Sequence, residues 1–257
     1  MKTMGIRLRL SVVGVSLLLV LSSFSIGCLA VAAPEPVVEL MLGPGSIFNH
    51  AAFSPDGGHL AVGCLNGMVK LWSTETWELV WEVEVFSPSE VSGVAFSPDG
   101  STIAASSPMK RDVAVLRATT GSESRRITLT AEIPGHPEEE FIGVVFPLFS
   151  PDGETLACSE GKFGSVKLVD VSTGRELGVP ILHDVSGSGY VPIAFSPDGS
   201  QLASADWDGA LVVVDLSTAE ELVREARAKA CDIAFAPDGT LRVASRRNVL
   251  ERPFVAS

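Results

Sequence analysis

Ser97 and Asp99 stand two residues apart in the stretch V-A-F-S-P-D-G-S, residues 94 to 101. A serine beside a carboxylate on a tight turn is half of a nucleophilic site. Acyl transfer would also require a histidine within reach to take the serine proton. The histidines are His50, His59, His136 and His183, and none has H-x-H or H-E-x-x-H spacing. No bound metal and no cofactor is therefore expected. Cys64, Cys158 and Cys231 have no C-x-x-C spacing either, and they read as small buried apolar residues. An acidic run, Glu138, Glu139 and Glu140, follows Pro137. Such a run reads as a solvated loop, or as a lip that binds a partner.

The element that must position Ser97 argues against catalysis, because the same stretch recurs. F-S-P-D-G begins at Phe53, Phe96, Phe149 and Phe195, and F-A-P-D-G begins at Phe235, at intervals of 40 to 53 residues. A reagent is needed once, whereas a turn is needed in every repeat. Proline at the second turn position fixes φ near the value a type I turn needs. Aspartate at the third bonds local backbone amides, and glycine supplies the left-handed conformation. In the fifth copy the serine is Ala236. A triad-bearing enzyme is therefore not expected.

Around each turn the pattern is that of an antiparallel meander. An apolar strand ends at the Phe, and a second strand carries an aliphatic residue seven places on, at Leu60, Ile103, Leu156 and Leu202. A tight turn follows, as at Asn66-Gly67 and Asp208-Gly209. A third Val/Leu-rich strand, a Ser/Thr-rich turn and a more polar fourth strand complete the unit. The fifth unit places Arg242 seven residues after Phe235. Either its register shifts by one to bring Leu241 inward, or that unit is frayed.

These units resemble WD repeats, the four-stranded blades of a β-propeller. L-A-S-A-D-W-D-G-A-L-V-V-V-D-L-S-T, residues 202 to 218, carries the resemblance best. No unit has the Trp-Asp dipeptide at the end of its third strand: Trp72-Ser73, Leu116-Arg117, Val169-Asp170 and Val214-Asp215 take its place, and Gly-His survives as Gly135-His136. The resemblance implies an all-β propeller with blades near 48–85, 91–132, 141–181, 190–225 and 230–257. A strand at 37–42 is expected to complete the last blade and so remove open sheet edges. Closure is left between a five-blade ring and an incomplete ring finished by another chain, which would include self-association. The resemblance also implies a stabilising hydrogen-bonded network of His183, Ser204 and Asp208, with Val214 where the family's tryptophan stands.

Residues 1–33 read as an export segment. Lys2, Arg7 and Arg9 precede a run without charge from Leu10 to Ala33. Small residues at Ala30 and Ala32 fit cleavage. S-I-G-C would alternatively make Cys28 a lipidation site, and an uncut segment would be a membrane anchor. Each reading exports the domain at 34–257, whether to the periplasm, the cell surface or the medium, and any membrane contact runs through that segment. The formal net charge of −12 over 257 residues disfavours nucleic acid.

In a meander, alternate turns lie at opposite ends. The S-P-D-G turns share one face with the Ser/Thr-rich turns. Trp207, Tyr190 and Glu138 to Glu140 share the other and form a candidate protein-binding rim. The expected function is a non-enzymatic exported scaffold for a protein partner. The alternatives are a propeller enzyme or small-ligand binder using the central channel, or a fragment of a larger propeller.

Overall fold

In the computed structural model the chain divides into two units, Met1–Ser46 and Ile47–Ser257. The structure describes residues 48–129, 144–160, 165–178, 181, 183, 191–205, 210–225, 230–245 and 249–252. The expected export segment with Cys28 and the expected strand at 37–42 lie outside them.

The described residues form five antiparallel sheets in chain order. The first holds β1 (Phe48–Phe53), β2 (His59–Cys64), β3 (Met68–Ser73) and β4 (Leu79–Glu84). The second holds β5 (Gly93–Phe96), β6 (Thr102–Ser106), β7 (Asp112–Arg117) and β8 (Glu123–Thr128). The third holds β9 (Val144–Phe149), β10 (Thr155–Glu160) and β11 (Val166–Asp170). Bridges from Val169 to Glu176 and from Val166 to Ile181 run where a fourth strand would lie. The fourth sheet holds β12 (Ile193–Phe195), β13 (Gln201–Ala205), β14 (Leu211–Asp215) and β15 (Glu221–Glu225). The fifth holds β16 (Ala230–Phe235), β17 (Leu241–Ser245) and β18 (Val249–Arg252). These are propeller blades, each a meander of neighbouring strands.

Register explains the repeated spacing. Phe53, Phe96, Phe149 and Phe195 pair with Leu60, Ile103, Leu156 and Leu202 across the first hairpin of their blades. In the fifth blade Phe235 pairs with Leu241, and Leu241 is fully buried. The one-residue shift is therefore the outcome there, and Arg242 turns to the exposed side. The cause is a turn shortened by one residue: Ala236 N–H bonds Thr240 O, whereas Ser54 N–H bonds His59 O.

Four apolar clusters hold the blades together. One joins blades one and two through Leu71, Val94, Ile103 and Leu116. The next joins two and three through Val115, Ile127 and Leu156. Then Val166, Leu202 and Val212 join three and four, and Val213, Ile233 and Leu241 join four and five. Among the described residues no cluster joins blade five to blade one. Phe53 is 38% exposed, against 6% for Phe149, while its pair Leu60 is buried.

Candidate functional site

The S-P-D-G turns are built alike and are occupied by their own bonds. Gly57, Gly100, Gly153 and Gly199 each donate N–H to the turn serine's carbonyl at 2.8–2.9 Å, which closes a β-turn. Ser97 Oγ donates to Asp99 at 2.6 Å and accepts the Thr102 N–H at 3.0 Å. Ser54, Ser150 and Ser196 repeat the bond to Asp56, Asp152 and Asp198. Beside Ser54 stands His59, but its backbone N–H, not its ring, reaches the hydroxyl. The serine proton is thus committed to a carboxylate in the four copies that carry a serine, and among the described residues no base is set to remove it. The serine hydroxyls are the main cause of lowered carboxyl pKa values at Asp56, Asp99 and Asp152, and they bring Asp198 to about 2. The turns also interlock: a Cβ placed on Gly100, Gly153 or Gly199 would lie 3.4–3.6 Å from Pro55, Pro98 or Pro151 of the preceding blade.

His183 and Ser204 come together, with Nε2 and Oγ 2.5 Å apart and both residues buried. Asp208 lies outside the described residues, as do Glu138, Glu139, Glu140, Tyr190 and Trp207. In the first blade Val62 occupies the register place of Ser204, and Trp72 that of Val214. Trp72 Nε1 is buried there with no hydrogen-bond partner. Trp81 sits at the junction of blades one and two, where its Nε1 donates to Ala118 O at 2.8 Å and its ring lies against Gly121.

The inner strands carry a feature that composition hides. β1, β9 and β16 each have a register irregularity beside His50, Phe146 and Asp232. These residues stand three before their blade's Phe, and such bulges re-aim the side chain that follows. His50 Nδ1 accepts the Val94 N–H at 3.3 Å, and its ring meets Phe146 edge-on at 5.0 Å. The histidine thereby contacts three successive blades. Burial lowers its pKa and raises that of Asp232. Among the described residues no three His, Cys, Asp or Glu side chains converge as a metal site would need.

The end opposite the S-P-D-G turns is the candidate site. There the turns between second and third strands meet the loops that link blades. Gly67 is wedged against Ser87 and Ser89, and Leu129 N–H bonds Arg111 O. The tips of the first two such turns are apolar: Leu65 is 37% exposed and Met109 70%. Met109 lies beside Lys110 and Arg111. Sequence reasoning missed both tips. The signal was a large apolar residue at a turn apex, where packing does not need one.

Five antiparallel meanders with serine-aspartate turns, stacked through apolar faces, define a propeller-type repeat array. The family profile described as "WD domain, G-beta repeat" matches residues 38–73, 81–110 and 193–215. An uncharacterized WD repeat-containing protein of Synechocystis sp. is 28% identical over 171 residues, covering 66% of this chain and 44% of that protein. The WD repeat-containing protein VIP3 of Arabidopsis thaliana is 30% identical over 173 residues, covering 63% of this chain and 50% of that protein. These matches support a WD-repeat family for the chain, with divergent repeats. It spans about half the length of the curated relatives it matches.

Proposed function

We propose that this chain is an exported, non-enzymatic scaffold that holds a protein partner on the rim formed by the turns between second and third strands. WD-repeat proteins generally act as protein-interaction scaffolds, and the WD-repeat matches support that much of the reading. The observation that carries the rest is the pair of exposed apolar tips, Leu65 and Met109, on successive blades of one rim. An apolar tip flanked by Lys110 and Arg111 offers both an anchor and charges to orient a partner. The meander pattern of the sequence leads us to expect Glu138 to Glu140, Tyr190 and Trp207 on the same rim. The opposite face is occupied by turns whose polar groups bond one another. Export rests on the basic and apolar pattern of residues 1–33.

The test is recovery of a partner by the full chain from the envelope of the exporting cell. Leu65→Glu with Met109→Glu should reduce recovery at least tenfold, while Leu222→Glu, on an outer strand, leaves it unchanged. Equal recovery by the rim variant and the wild type would sink this reading. Fractionation of cells with wild-type chain and with Cys28→Ala tests export, since a lipidated protein would leave the membrane fraction on losing that cysteine. A chain found wholly in the cytoplasm would refute export.

A further inference from the structure

Charge is spread unevenly over the blades. Residues 91–129, the second blade, carry five lysines and arginines against Asp99, Asp112 and Glu123, a net +2. The whole chain is at −12, and residues 48–90, the first blade with its linker, carry Lys70 against six carboxylates, a net −5. The second blade's cations divide by place. Arg117 lies at the S-P-D-G end, where its Nη1 donates to Ser122 Oγ. Arg125 reaches Thr173 O of the third blade. Arg126 is held by Glu123 at 3.0 Å and faces Asp112 at 3.8 Å, over the Phe86 ring. Lys110 and Arg111 stand at the rim, in the turn that carries Met109. Lys110 is exposed, and none of the ion pairs among the described residues takes it. Asp112, the nearest carboxylate along the chain, is occupied by Thr128 and Arg126.

The linker from β4 to β5 runs between this turn and the Leu65 turn. Val85 and Phe86 donate N–H to Gly67 O, Val91 N–H bonds Cys64 O, and Ser92 N–H bonds Ser106 O. Backbone bonds thus fix both turns to one segment, whose Ser87 and Pro88 are exposed and whose Glu90 is half-buried. The apolar tips Leu65 and Met109 flank that segment, and the cations stand on the Met109 side. A small positive site beside a first blade of net −5 sorts anionic partners by shape. A bilayer surface or a nucleic-acid backbone spreads its charge over both blades, so the first blade's carboxylates repel it. A narrow acidic segment can lie against Lys110 and Arg111 alone, with an apolar side chain covering Met109. The negative charge of the other faces turns the same segment away from them.

We propose that the rim of the first two blades takes an acidic segment of a protein partner, with carboxylates against Lys110 and Arg111 and a large apolar side chain against Met109. This rests on the rim reading above and adds the chemistry of the partner to it. The apolar contact supplies the anchor, and the charges set which way the segment runs across the linker.

The probe is a random peptide library displayed on phage and selected on the full chain. Enriched peptides should join carboxylates to a large apolar residue. Made synthetically, they should bind Lys110→Glu with Arg111→Glu about tenfold or more weakly than wild type. Lys110→Glu alone gives the same readout should the double variant fold poorly. Arg117→Glu, the same change of charge at the opposite end of the blade, should leave their affinity unchanged. Raising ionic strength from about 0.1 M to about 1 M should also weaken them. Leu65→Ser with Met109→Ser, which adds no charge, separates this inference from the rim reading. Neutral or basic peptides that this pair releases would overturn the acidic partner and leave the rim standing. Peptides indifferent to both pairs would overturn both. Acidic peptides that bind the charge-reversed variant as well as wild type would overturn the proposal, as would a selection that enriches nothing. Tighter binding of phosphatidylglycerol vesicles or of a single-stranded oligonucleotide than of the acidic peptides would overturn it too.

Discussion

At the scale of single residues, a repeated serine is a structural group whose work is to hold an aspartate. Ser196 Oγ donates to Asp198 and accepts the Gln201 N–H. Ser196→Ala removes both bonds and should cost about 1–2 kcal/mol in urea unfolding at neutral pH. Because the folded-state pKa of Asp198 lies near 2, its contribution is present above the ordinary aspartate value of about 4. It is lost as pH falls through about 2. The variant should therefore show a shallower fall in stability over that acid range than wild type, and an unchanged slope would refute this role for the hydroxyl. His50 has the opposite consequence. Its folded pKa is lowered by burial, so below about 6.5 the unfolded chain takes up a proton that the folded chain refuses. Stability should fall as pH drops below that value, and His50→Asn, which keeps an acceptor for Val94 N–H, should flatten the fall. A profile unchanged in the variant would assign the slope to another group.

At the scale of elements, the turn between third and fourth strands demands a left-handed residue at one place. Gly121 and Gly174 supply it in blades two and three, while Trp77 and Ala219 adopt φ of 58° and 60° in blades one and four. Non-glycine residues there are strained. Ala219→Gly should raise stability by roughly 1 kcal/mol, read as a higher urea midpoint at unchanged slope. The first blade offers a second element-scale test. Trp72 Nε1 is buried without a partner, and Val62 stands where the fourth blade has Ser204. Val62→Thr places a hydroxyl on that face at nearly constant volume. It should be neutral or stabilising, whereas Val213→Thr, in a fully apolar junction, should cost about 1–3 kcal/mol. Equal losses at both sites would mean that the added hydroxyl does not reach the indole. Sequence made these elements readable because period, turn chemistry and strand alternation all repeat. It left the fifth blade undecided because spacing alone cannot show that a deleted turn residue, rather than a frayed strand, moves Arg242 outward. The exposed Leu65 and Met109 were hidden by the opposite problem: a lone apolar residue in a turn has no period to mark it.

At the scale of the whole array, each apolar cluster of the described residues joins two neighbouring blades. Stability should then be close to a sum of blade and junction contributions. Ile103→Ala, at a residue with no exposed surface, should cost about 2–5 kcal/mol. The lost protection in hydrogen exchange should centre on blades one and two, with the fifth blade little changed. Uniform loss across all five blades would mean that the array unfolds as one unit. The stacking of Pro55, Pro98 and Pro151 on Gly100, Gly153 and Gly199 also bears on the gene. Every interior repeat of 40 to 53 codons encodes a proline for the next unit and a glycine for the previous one. A tandem duplication within the array therefore yields a unit that already fits both neighbours, and an in-frame deletion leaves two units that still fit. Within the array such a gene can change length without compensating mutation.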